Sequence, residues 1–253
     1  MKESRIMKVF DKYVQKFNMN KGNVKMMYFH SIKVSELCKD IASSVGIFTE
    51  EEILVCKLIG LFHGIASFNN NYSTYVYDAD TDYNKKSVEI LFDSEDSLMR
   101  KITDDTRYDD IIKIAIYCEN KNGLPSSSKL GDKALHFCKV LKDAHSLDNF
   151  RMILNYPIID TKIDAFPSDL VYSTFKMYQV INNKISDNDA DIVLENVSKI
   201  FGFNYKYSYY ILLEEDYITK LVNILNFGNK NIYKFFKQIN IVLNNYIKNK
   251  IGD

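Results

Sequence analysis

Glycine and proline are scarce in this chain, with nine and three among 253 residues. A many-stranded sheet needs turn residues every few positions, and too few are present to separate the strands of one. The sequence therefore predicts an all-α protein, and its apolar residues agree with helical spacing. Met27, His30, Val34, Leu37, Cys38 and Ile41 form one stripe whose polar members include a single imidazole, His30. Gly46 is placed to stop that helix. Thr49 followed by Glu52 makes a capping box for a second helix, which carries Ile53, Val55, Leu58, Ile59 and Phe62 and has His63 and Gly64 at its C-terminal end. Further helices are expected from Val88, from Asp109 to Cys118, and from Lys129 to Asp143, where Asp143 would end the helix. Gly123 to Ser126 reads as a turn. The polar, aperiodic stretch from Asn69 to Lys86 reads as a surface loop, of which Tyr72 to Lys86 would cover a pocket entrance. Beyond Pro157 and Pro167 the helical pattern resumes and ends in a Tyr- and Asn-rich helical tail. With no internal repeat and no long linker, residues 1–253 read as a single helical domain.

Charge and hydropathy exclude several classes of partner. Thirty-three basic residues balance thirty-three acidic ones, so no overall field attracts nucleic acid or an anionic membrane. The apolar runs are far too short to span a bilayer, and Met1 to Asp11 has charges where a signal peptide needs an apolar segment, so a cytoplasmic protein is expected. Cys38, Cys56, Cys118 and Cys138 are widely spaced, lack a C-x-x-C pattern and sit mostly among apolar neighbours. Buried free thiols are the expected state, not disulfides or a zinc knuckle.

Two histidines on neighbouring helices, His30 and His63, and the carboxylate of Asp143 could converge on one divalent cation, since imidazole and carboxylate both suit ions such as Zn, Fe or Mn. A lone histidine on an apolar helix face is more often a hydrogen-bonded core residue than a ligand. The spacing by itself leaves both readings open.

The local wording around these residues resembles the HD superfamily of metal-dependent phosphohydrolases. Tyr28-Phe29-His30-Ser31-Ile32-Lys33-Val34 is similar to that family's first motif, a His-Ser followed by a basic residue and Val. Leu58-Ile59-Gly60-Leu61-Phe62-His63-Gly64-Ile65 is similar to its hallmark segment, in which a Leu-Ile-Gly-Leu-Leu run precedes His-Asp-Ile-Gly. Ala115 to Lys121 sits where the family has a helix ending in His-Asn, and Asp143-Ala144-His145-Ser146-Leu147-Asp148-Asn149 resembles its final Asp-Ala-Asp-Lys-Leu-Asp-Asn. The resemblance implies an HD-like helical bundle with a motif-bearing core at about residues 10–151 and a helical C-terminal extension over 152–253. It implies His30, His63 and Asp143 as metal ligands. The fourth core ligand, the Asp of the His-Asp pair, is Gly64 here, and the second-metal positions are held by Tyr83 and Glu119, of which Glu119 still offers a donor. His145 replaces the middle Asp of the last motif. Residues two apart on a helix point roughly 200° away from each other, so Asp143 and His145 should not face one ion while the helix continues.

Two functions follow as expectations. The first is a degenerate HD-domain protein with an impaired metal site, acting by binding or regulation through a protein partner or a homo-oligomer. The second is an active phosphohydrolase on a nucleotide or other phosphoester, in which His30, His63, Asp143 and Glu119 form a rebuilt mononuclear centre for Mn, Zn or Fe, with lysine or arginine neutralising the phosphate. A weaker third reading, an oligomerisation module, rests on the aromatic run Phe201 to Tyr210, which is better explained as ordinary core and surface tyrosine in an Asn- and Lys-rich sequence. Arg100, Lys101 and Arg107, and the pairs Asp104-Asp105 and Asp109-Asp110, read as solvated or helix-capping charges.

Overall fold

The computed structural model describes residues 1–69, 83–93, 97–119, 127–157, 159, 162–182 and 185–252. The expected turn at Gly123 to Ser126 and residues 70–82 of the expected loop lie outside them. Among the described residues the protein is all-α, with no sheet and only an isolated bridge between Ile163 and Phe227. No helix among them is long and apolar enough to cross a membrane. The chain divides into two compact units, Met1–His145 and Ser146–Asp253.

The first unit contains α1 (Glu3–Val14), α2 (Gly22–Val45), α3 (Glu50–Phe62), α4 (Tyr83–Val88), α5 (Leu98–Ile102), α6 (Asp109–Tyr117) and most of α7 (Ser127–Asn155). Helix α2 stops at Gly46, whose φ of 74° is left-handed backbone that glycine adopts without a Cβ penalty. Helix α3 then opens with the capping box: the Glu52 amide donates to the Thr49 hydroxyl, while the Thr49 amide donates to the Glu52 carboxylate at 2.9 Å. Glu52 also pairs with Lys133.

Helices α2 and α3 pack tightly along their length, and Gly60 permits it. A Cβ there would lie 2.8 Å from Cys38 Sγ, from Ser35 Cα and from the Val34 carbonyl oxygen, so any side chain would push the helices apart. The Ser35 hydroxyl donates to the Lys57 carbonyl at 2.7 Å across the same crossing. Around it, Phe10 stacks on Tyr28 and meets Phe62 and Phe68 edge-on, with centroids 5.5–5.9 Å apart, which builds the apolar side of the unit.

Two expectations about element boundaries fail here. Tyr83 to Lys86 belongs to α4, not to a loop, and both Tyr83 and Asn84 are buried. Polar composition misled: a short helix can bury one face while its Lys85 and Lys86 remain in water. Helix α7 does not end at Asp143 but continues to Asn155, bending near its start at Gly131, where φ is 73°. Nothing at Asp143 breaks a helix, and Ala144, Leu147 and Phe150 continue the buried spacing.

The second unit contains α8 (Asp169–Lys176), α9 (Asp189–Ser198), α10 (Lys206–Glu214), α11 (Tyr217–Ile224) and α12 (Lys230–Gly252). Helix α12 packs on α10 and α11 through Phe236, Ile239, Leu243 and Ile247. Of the aromatic run, Tyr209 is buried and its hydroxyl donates to the Ile200 carbonyl, while the half-buried Phe201 lies 5.3 Å from Phe175 and 5.0 Å from Tyr246. Tyr210 is exposed. The four cysteines are free and buried, as expected from their spacing.

Candidate metal centre

The close crossing of α2 and α3 places His30 and His63 together inside the first unit. Both are 4% exposed, and their Nε2 atoms are 3.2 Å apart. His30 lies within α2, and His63 caps the C-terminus of α3. The last carbonyls of a helix have no intrahelical partner. His63 Nδ1 satisfies one of them by donating to the Gly60 carbonyl at 2.7 Å, which leaves the neutral ring's lone pair on Nε2, facing His30.

A third imidazole joins them from α7. Ring centroids are separated by 5.1 Å for His30–His63, 5.3 Å for His30–His145 and 5.2 Å for His63–His145, a nearly equilateral triangle. The ligand nitrogens lie within 4.8 Å of one another, and among the described residues this is the group able to hold a metal ion. The fit can be tested against simple coordination geometry. Two imidazole nitrogens at ~2.0–2.1 Å from one tetrahedral ion are about 3.3 Å apart, and ring centres lying ~1.2 Å behind them are about 5.2 Å apart. The triangle has the second spacing already, and His30 with His63 has nearly the first. Reorientation of side chains, without movement of helices, suffices for the rest.

Carboxylate chemistry enters one step away from the rings. Glu119, just after α6, accepts from His145 Nδ1 at 2.6 Å, and Asn84 Nδ2 of α4 approaches its other oxygen at 3.5 Å. Glu119 and His145 are largely shielded, with side chains 7% and 14% exposed. Burial alone would raise the pKa of Glu119, but the charge and hydrogen bond of His145, with smaller help from His63 and Asn84, hold it down at about 2. Burial pushes the His63 pKa down to about 3, and repulsion from His30 and His145 adds to it. His63 is therefore neutral at physiological pH, the form that binds metal. Lys142, one turn before His145, is half-buried; burial lowers its pKa while Glu119 opposes the change.

The residues expected to form the site are thus distributed unevenly. His30 and His63 meet, Glu119 reaches the site through His145, and Asp143 is buried on α7 but is not a member of the three-residue group. His145 was the residue that helical spacing seemed to exclude. Helix α7 continues through both positions; His145 is the one that joins His30 and His63 in the three-residue group, while the Asp143 carboxylate lies close enough to α2 to help raise the pKa of the buried Cys38 thiol. Tyr83 is buried at the start of α4, and its neighbour Asn84 contacts the site carboxylate. Gly64 contributes no donor atom, yet among the described residues a Cβ there would meet only Met27 Cε at an ordinary 3.6 Å. Of the other charges, Arg100 pairs with Asp109 and Arg107 with Asp105 and Glu51. No family model, no curated protein and no solved structure matches the chain.

Proposed function

We propose that this chain is a mononuclear metal-dependent phosphohydrolase of HD type, acting on a nucleotide or another small phosphoester. The observation that carries the reading is the near-equilateral triangle of His30, His63 and His145. Structural metal sites are usually closed by four protein ligands, whereas catalytic ones keep three and leave a coordination position open. A divalent transition-metal ion held there would supply water activation and polarisation of a phosphoryl oxygen. The protein's own contribution is the neutral imidazole of His63, the orientation of His145 by Glu119, and the cation of Lys142, which favours an anionic substrate near the carboxylate.

A second reading, a degenerate protein that binds a phosphorylated ligand or a protein partner without turnover, is favoured by Gly64. It stands where the HD pattern implied by the sequence has a metal-binding carboxylate. One experiment separates the two. Protein purified without chelator is analysed for metal and screened against nucleotides and simple phosphoesters, alongside His63→Ala. One equivalent of metal with turnover that His63→Ala abolishes supports the hydrolase. Metal-free, inactive protein that still binds phosphorylated ligands supports the second reading.

A further inference from the structure

The motifs of the sequence nominate Asp143 as the third ligand, whereas the fold brings up His145. Asn84, Glu119 and His145 form a chain of contacts ending at the three rings: Asn84 Nδ2 to Glu119 at 3.5 Å, then Glu119 to His145 Nδ1 at 2.6 Å. A carboxylate bound to Nδ1 fixes the proton on that atom and leaves the Nε2 lone pair of His145 available. His63 is arranged in the same way, with the Gly60 carbonyl in place of the carboxylate. Both rings thus have their outer nitrogen engaged as a donor, which keeps the lone pair on the inner nitrogen; that of His63 meets His30 Nε2 at 3.2 Å. Such preparation is not needed for ordinary packing, since a buried imidazole needs only a satisfied hydrogen bond.

We propose that His145, positioned by Glu119 and Asn84, is the third ligand of a three-imidazole centre that selects Zn²⁺ or Co²⁺ over Mn²⁺ and Mg²⁺. The proposal rests on the metal-centre reading above and specifies its donor set. Three nitrogen donors suit zinc and its neighbours in the first transition row, while Mg²⁺ and Mn²⁺ prefer carboxylate, carbonyl and water oxygens. Spacing supports the same choice, since the ring centroids at 5.1–5.3 Å match a tetrahedral ion. Glu119 acts through His145 and is a positioning residue. In this arrangement Gly64 is not a gap in the coordination sphere, because the donor comes from α7.

The test uses the full chain, stripped of metal by chelation, with Co²⁺ titrated by its visible absorption and Zn²⁺ by calorimetry. The wild type should bind one equivalent of Co²⁺ with the intense absorption of a tetrahedral site; Zn²⁺ should displace it and a roughly tenfold excess of Mn²⁺ should not. His145→Ala and His145→Gln should both lose the tetrahedral spectrum, whereas Asp143→Asn should retain it. Glu119→Ala should weaken binding by about 10- to 100-fold, and Glu119→Gln should recover part of the loss, since its amide oxygen still accepts from Nδ1. A merely structural Glu119 would not show that graded rescue in affinity at unchanged helix content. Retention of the spectrum in both His145 variants with its loss in Asp143→Asn would overturn the donor set while leaving a metal centre in place. No binding of any of the three ions by the wild type would remove the metal-centre reading and the donor set with it.

Discussion

The two units bury polar groups for different ends. All four histidines and all four cysteines of the chain precede Ser146, and in the first unit, beside backbone-bonding groups such as Ser35 and Ser87, some shielded polar side chains are set against one another: His30 against His63, Glu119 against His145. In the second unit the buried polar groups mostly serve the backbone. Asp191 accepts from the amides of Ser168 and Asp187 at 2.8 and 3.0 Å, and Ser198 accepts from the Ile181 amide and donates to the Glu195 carbonyl. Asp148 pairs with Arg151. The first pattern costs stability that an ion could return; the second closes helix ends and turns. Buried polarity becomes a functional signal when the partners are other titratable side chains.

The largest expected break of this contrast comes from Gly60→Leu. Two of the three atoms that its Cβ would meet at 2.8 Å are backbone, so α2 and α3 must separate. Equilibrium denaturation should show a loss of about 3 kcal/mol or more, and Co²⁺ binding should disappear, because His30 and His63 part with the helices. In the second unit Asp191→Ala should lose about 2–3 kcal/mol, since it strands two backbone donors. Its metal affinity should not change. A drop in affinity there would show that the division between the two kinds of buried polar group is false.

Acid should act mainly on the first unit. His63 has a folded pKa of about 3 against 6.5 when free, so between these values the unfolded chain binds more protons and stability rises with pH. From pH 7 to pH 5 metal-free protein should lose about 2 kcal/mol from this group, and the slope should flatten in His63→Gln. Glu119, held at about 2, acts in the same direction at lower pH: its contribution is present above the ordinary carboxylate range and is lost as pH falls toward 2. The smallest effect on stability is expected for Gly64→Asp, which should stay within about 0.5 kcal/mol of the wild type because space exists for its Cβ. Its readout is metal affinity, which should rise if the new carboxylate reaches the ion. Unchanged affinity would indicate that the three imidazoles leave it no role.

Much of the helical framework could be read locally. Gly46 ends α2, the Thr49–Glu52 box begins α3, and the stripe through Val34, Leu37, Cys38 and Ile41 is buried, with His30 among it. These features depend on neighbours within about one turn, which spacing and residue chemistry describe well. Local reading failed where composition stood in for packing, as at Tyr83 to Lys86, and where the helical pattern was ended too early, as at Asp143.

The sequence by itself determined that residues two apart, such as Asp143 and His145, point away from each other wherever a helix continues; that α7 does continue past Asp143 came from the structure. It also determined that His63 ends a helix whose terminal carbonyls need donors. Which member of the pair faces His30 and His63 was decided only by the tertiary structure. The rotation of α7 about its own axis depends on which of its apolar residues find the core, among them Leu141 and Ala144, both fully buried. That choice is made by packing against segments remote in sequence, so no local spacing records it.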